Sequence, residues 1–277
     1  METSVVSGLL IAFCWGSADV SSSLTRLSTQ KLSVLAQGFG LLFLVFFGVV
    51  MAPPISRTIE MGREELGLLL VLGAVSALGY YCMYKAFQCK DVPTGITSTI
   101  VSGNGALTVL LSISILHERG QIFPMSILLS GILLVAYASS QSRHLVSAAR
   151  PLAGVLWALA AACCLGCFNF GIGMISRTGE WYWFLFEVRS CSCLFLALLL
   201  AMDPGQRSEV THVWRGKDIV FAGGSGVLEM TGIIVFSLTS QHTSIGLMSM
   251  IASCSIVLPL CYSIFVKGVQ LQSSQGL

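Results

Sequence analysis

Charge is scarce in this sequence: of 277 residues only 10% are Asp, Glu, Lys or Arg, against 55% that are hydrophobic. A water-soluble chain of this length can bury a large core, but it needs a charged surface around it, and these few charges, gathered into short clusters, do not supply one. The formal net charge of +2 leaves no electrostatic footprint for nucleic acid, and none is expected as a partner. Histidine is scarcer still, with four residues, so neither Cys191-x-Cys193 nor the group Cys163, Cys164 and Cys167 has nearby histidines at zinc spacing, and no metal is expected. The other cysteines within apolar runs, Cys14, Cys82, Cys254 and Cys261, read with these as small buried hydrophobes rather than as a disulfide scaffold. Catalytic signatures are missing too: there is no HExxH, no GxSxG and no GxxxxGKS, which argues against an enzyme, and no cofactor is expected. The leading METSVV carries Glu2 and no basic residue, so the first apolar run reads as a retained span and not as a cleaved signal peptide.

What the sequence has instead is long apolar runs, with a mean hydropathy of +0.83. They fall near residues 5–24, 32–52, 66–88, 93–116, 122–140, 152–175, 181–202, 218–238 and 244–266. A bilayer core about 30 Å thick takes about 20 apolar residues of helix, so these are nine candidate spans of an integral, multi-pass membrane protein, its lipid bilayer the first partner. Transmembrane strands need alternating segments of roughly 10 residues, and these runs are continuous and longer. Pro53, Pro54, Pro93, Pro124, Pro151 and Pro204 stand at or near run ends, where a missing N–H costs least; Pro259 alone is mid-span.

The chain also repeats itself. A shift of 151 residues lays residues 95–113 on 246–264 with seven identities in nineteen positions: Gly95, Ser98, Ile100, Ser102, Leu107, Ser112 and Ile113 meet Gly246, Ser249, Ile251, Ser253, Leu258, Ser263 and Ile264. A shift of 150 brings Gly16 onto Gly166 and Gly73 onto Gly223. The expected fold is therefore an all-α bundle of two tandem inverted-topology repeats, residues 1–141 with five spans and 151–277 with four. The charged knot LHERGQ after the fourth run has its degraded counterpart in KGVQLQ after the ninth.

With FCWGSAD in the first run, ALGYYCMYKAF closing the third, and LHERGQ followed by ILLSGILLVAY, the sequence resembles the drug/metabolite transporter superfamily in its EamA-type branch of two five-helix repeats. The resemblance implies a helical carrier whose central cavity is lined by helices one to four and six to nine. The sequence departs from the pattern at Lys267 and Gly268, where the second charged turn belongs, and at SSQGL, where a tenth helix would begin.

Ionisable groups deep in the runs are the candidate site residues, because they are expensive in hydrocarbon and face a bundle interior or water. Asp19 lies one turn beyond Trp15 on the same face, an acid beside an aromatic wall that suits a cationic or zwitterionic solute; the other reading is a solvated turn at the span's end. The repeat shift sets Asn169 opposite Asp19. Glu229, central in the eighth run, reads either as a desolvated carboxyl that carries a proton or as the partner of Arg189 in an ion pair. Glu187 and Arg189, two apart, point to different sides of one helix and call for partners elsewhere. Tyr80 and Tyr84 share a face and line either the cavity or an aromatic belt, while Trp181, Tyr182 and Trp183 read as an interface anchor. Asn104, between Gly103 and Gly105, marks either a loosened helix with exposed carbonyls at a solute site or a close helix contact.

The function these residues imply is a secondary transporter, an exporter or exchanger of a small polar metabolite by alternating access. The alternative is a non-transporting, truncated membrane protein that acts through helix–helix interaction, and a homodimer is open in either case. Basic residues count nine to four in favour of a cytoplasmic C-terminal tail and an external N-terminus, whereas the resemblance implies a cytoplasmic N-terminus.

Overall fold

The computed structural model describes residues 2–51, 63–89, 92, 94–118, 126, 130, 151–177, 181–202 and 216–266. Its helices are α1 (Glu2–Leu24), α2 (Thr29–Met51), α3 (Arg63–Gln88), α4 (Thr94–Ser102), α5 (Asn104–Leu116), α6 (Pro151–Ser176), α7 (Trp181–Met202), α8 (Gly216–Ser240), α9 (Ile245–Ala252) and α10 (Val257–Phe265), with a 3₁₀ turn, Ser253–Ile256, between the last two. Among the described residues there is no strand. Among the described residues eight helical stretches are long and apolar enough to cross a membrane, α4–α5 and α9–α10 each counting as one interrupted crossing. The expected fifth run, 122–140, lies outside the described residues except for Ser126 and Ser130, as do Arg119 to Gln121 of the charged knot, the 203–215 loop and the tail from Lys267. Most of the basic residues counted for orientation lie outside them too.

Helix is what a chain in hydrocarbon must form, since each backbone N–H and C=O has to find its partner within the segment. Side chains then sort in the reverse of a soluble protein. Leu42, Phe46, Val49 and Val220 are exposed on the outer face, whereas Ser33, Gln37, Thr97, Ser98, Thr108 and Ser192 are wholly buried between helices. Some of these hydroxyls bond to the preceding turn, as Ser33 Oγ does to the Thr29 carbonyl at 2.7 Å, and others reach another helix, as Ser192 Oγ does to Ser76 Oγ at 3.4 Å. The cysteines do not all behave as buried hydrophobes: Cys14 and Cys82 are buried, but Cys163, Cys167 and Cys254 stand on the outer face, where lipid accepts a thiol as readily as the core does.

The two halves interlock. In the first half α1 packs on α8, and in the second α6 packs on α3; α2 packs on α8 and α3 on α7. The 150-residue shift exchanges each of these pairs for the other. Glycines set the closest approaches. A Cβ on Gly16 would lie 2.5 Å from the Ser255 carbonyl oxygen and 3.0 Å from Leu258 Cβ, and one on Gly166 would lie 2.8 Å from the Asn104 carbonyl oxygen and 2.9 Å from Leu107 Cβ. Ser255 and Leu258 are the repeat partners of Asn104 and Leu107, so the same glycine contact is made twice, each time by the first helix of one half against the interrupted helix of the other.

These contacts predict that Gly16→Val and Gly166→Val each destabilise by about 1–3 kcal/mol through overpacking. Gly38→Ala, where an added Cβ meets nothing within 4 Å, leaves stability unchanged or slightly raised. Thermal unfolding in detergent measures all three, and equal melting of Gly16→Val and Gly38→Ala counts against the close contact.

Candidate functional site

Both interruptions have a local cause. Between α4 and α5 the Gly103 N–H turns to the Ile100 carbonyl at 3.0 Å, an i→i−3 bond, and Asn104 Nδ2 donates to the Val101 carbonyl at 2.8 Å, replacing part of the lost ladder. Between α9 and α10 the chain tightens into 3₁₀ geometry over Ser253–Ile256. Pro259 follows four residues after Ser255 and has no N–H to offer its carbonyl, so the α pattern cannot run straight through. Gly103 and Asn104 correspond to Cys254 and Ser255 under the 151-residue shift, so the two crossings break at the same register.

The broken crossings meet α1, α3, α6 and α8 around one cavity. It is lined by Trp15, Ala18, Asp19, Tyr80, Met83, Tyr84, Val101, Ser102, Asn104, Leu165, Asn169, Ser225, Glu229 and Ser255. Trp15, Asp19, Tyr80, Tyr84, Asn104, Asn169 and Glu229, chosen from seven scattered positions in the sequence, thus share a single chamber. Its free space is about 50 Å³, room for a few water molecules and not for a metabolite. Asn169 Nδ2 donates to Asn104 Oδ1 at 3.2 Å, joining α6 to α5 across it. The Asn104 region serves close packing as well, since a Cβ on Gly105 would strike Ser253 Oγ.

The two acids in the wall are held differently. Glu229 accepts from Arg189 Nη2 at 2.7 Å and from Gln37 Nε2 at 3.3 Å, with Arg189 1% exposed. Of the two readings of Glu229, the ion pair is the arrangement found. Gly40 makes the room, because a Cβ there would stand 2.8 Å from Arg189 Nη2. Tyr80 covers the guanidinium, its ring centroid 5.2 Å from Cζ, and offers a π face where Nε and Nη1 have no hydrogen-bond partner. Asp19 is not in a solvated turn. Its carboxylate looks into the cavity and accepts from Ser98 Oγ at 3.2 Å, with no basic side chain paired to it among the described residues. Tyr80 and Tyr84 line the cavity rather than a belt, their centroids 6.4 Å apart. Glu187, on the other side of α7, is outside the lining. Tyr182 is a correction to the interface anchor: it is buried and its hydroxyl donates to the Leu44 carbonyl at 3.1 Å, over Gly48, where a Cβ would strike the phenol oxygen.

Sequence reasoning missed the small hydroxyls of the wall and the partners of the charged knot. His117 adopts a left-handed conformation (φ 55°) at the end of α5 and turns Glu118 back over the helix. Glu118 there accepts from Ser112 Oγ, pairs with Arg177, and accepts from Ser244 Oγ at 2.6 Å and from the Gly246 N–H at 3.3 Å. Ser244 is the N-cap of α9, so the carboxylate sits at the positive end of that helix. The clasp ties the end of α5 to the end of α6 and the start of α9. Burial pushes the Glu118 carboxyl up, but the bonds from Ser112, Ser244, Arg177 and Gly246 outweigh it and hold it below the usual 4.5.

The fold and chamber define a polytopic helical membrane protein with a polar cavity between two interlocked halves. Residues 3–140 match the model of the EamA-like transporter family, and the chain belongs to that family of drug/metabolite-type membrane transporters. Eighteen chains of solved structures match it; one crystal structure covers 99% of this chain and 91% of its own, with a TM-score of 0.72 and 15% identity, a likeness of fold. No curated protein matches the chain.

Two predictions follow the two acids that are paired. Glu229→Gln strands the Arg189 charge and should cost about 3–5 kcal/mol, more than the double variant Glu229→Gln, Arg189→Met, which removes both charges; a double variant less stable than the single would contradict a mutual pair. For Glu118 the folded value is lowered, so its stabilisation is whole above pH 4.5 and is lost as pH falls through that lowered value. Glu118→Gln should therefore melt lower than the parent at neutral pH, with the gap closing in the acid range. A gap that stays constant with pH would mean the carboxylate charge is not what holds the clasp.

Proposed function

We propose that this chain is a secondary transporter, an exporter or exchanger, that moves a small polar metabolite through its central cavity by alternating access. The observation that carries this reading is that two crossings, broken at the same register in the two halves, meet at a chamber lined by Asp19, Asn104, Asn169 and Glu229 with Trp15, Tyr80 and Tyr84. Irregular backbone at membrane depth is tolerated where it lines a cavity, and polar groups there are costly unless they are used. The small volume suits a contracted conformer, one that widens when the two halves rock against each other. The Glu118 clasp then belongs to the closed side: Arg177 and Ser244 must leave the carboxylate before α5 can part from α6 and α9.

The test is counterflow in proteoliposomes loaded with a mixture of amino acids, amines and nucleosides, read by mass spectrometry. We expect at least one metabolite to exchange above protein-free liposomes, and Asn169→Leu to reduce that exchange at least tenfold while the protein stays folded in detergent. Folded protein that exchanges none of them favours the non-transporting reading.

A further inference from the structure

Resting on the reading of the cavity as the solute site, we infer that the solute is a cation: an amine on an aromatic or apolar body, with Asp19 as its counter-ion. Among the described residues the wall contains two carboxylates and no basic side chain. Arg189, a cation close behind it, is committed to Glu229 at 2.7 Å. The charged groups facing one another across this part of the bundle are therefore Asp19, Glu229 and Arg189, two acids and one base, which leaves the region one positive charge short. Asp19 is where that charge is missing, since its contact among the described residues is a single neutral hydroxyl, Ser98. A carboxylate in such surroundings is costly to keep unpaired and is satisfied by an ammonium group that brings its own charge and N–H donors.

Two further features describe the rest of the solute. Trp15, Tyr80 and Tyr84 present aromatic surface in the same chamber, which attracts a cation and packs on a flat apolar body. Tyr84 is fully buried, lines the cavity, and its hydroxyl has no hydrogen-bond partner. The neighbouring Ser225 Oγ donates its proton to the Ala18 carbonyl at 3.0 Å and keeps lone pairs that can accept from the phenol. The Tyr84 hydroxyl can turn from there to an acceptor on the solute, such as a hydroxyl. An anion would meet Asp19 and Glu229 together and would gain Arg189 only by breaking its pair.

The experiment uses three probes with the same ring and different charge: tyramine, 4-ethylphenol and 3-(4-hydroxyphenyl)propionate. Binding to the purified full chain in detergent is read by titration calorimetry, which needs no transport and so separates this inference from the function above. Tyramine is expected to bind at least tenfold more tightly than 4-ethylphenol, and the acid most weakly. In Asp19→Asn the tyramine affinity should fall to that of 4-ethylphenol, with 4-ethylphenol itself unchanged. Equal binding of the three probes, tighter binding of the acid, or no binding of any overturns the inference, as does an Asp19→Asn protein that keeps its preference for tyramine. Should Asp19→Asn fail to fold, the charge series on the parent protein decides alone. If tyramine binds selectively while no counterflow is seen, the cation site stands and the transporter reading falls.

Discussion

Breaking a helix inside a bilayer strands backbone groups where no water can reach them, and most of this structure answers that constraint. The crossings through Gly103 and through Ser253–Ile256 can exist only where protein surrounds them. Gly16 and Gly166 let the first helix of each half lie almost against the broken backbone of the other. Thr108 Oγ1 adds a bond to the Gly166 carbonyl at 3.0 Å, fastening α5 to α6 beside the break. The interlocking of the halves and the position of the chamber are thus consequences of one need, to keep two irregular segments away from lipid.

Electrostatics inside the bundle divides the same way between structure and use. Arg189 and Glu229 neutralise each other, wrapped by Gln37, Gly40 and Tyr80, so their burial is tolerable and their removal one at a time is not. Among the described residues the Asp19 carboxylate has Ser98 alone as its hydrogen-bond partner. A fold does not need that carboxylate, which is why it reads as part of the site and the pair reads as part of the frame. On one face of the bundle Glu118 gathers donors from three helices, at a position where partial exposure and a helix N-terminus make the charge easy to hold.

Much of the chamber was legible in the sequence because a polar residue inside an apolar run has few places to go. Asp19, Asn104, Asn169 and Glu229 stand out for that reason, and Trp15, Tyr80 and Tyr84 by their spacing from one another or from an acid. Ser98, Ser102, Ser225 and Ser255 did not stand out, since serine is common in membrane helices and bonds to its own turn; Pro259, four residues after Ser255, was the available signal. Arg177 and Ser244 were illegible as partners of Glu118 because they lie 59 and 126 residues from it. Tyr182 looked like an anchor because its neighbours Trp181 and Trp183 are aromatic, and only Leu44 and Gly48 on α2 make it a core residue.

By itself the sequence determined the solvent and the secondary structure: apolar runs of about 20 residues with few charges must be helices in a bilayer, whatever their neighbours do. It also held a recurring register, in which Gly, Ser, Ile and Leu positions match at a shift of 151 residues without reference to any contact. Tertiary structure alone decided which acid is paired. Both Asp19 and Glu229 line the chamber, and the difference between them is that Arg189 reaches one and not the other, a matter of how α2 packs on both α7 and α8 and of the space that Gly40 leaves on α2.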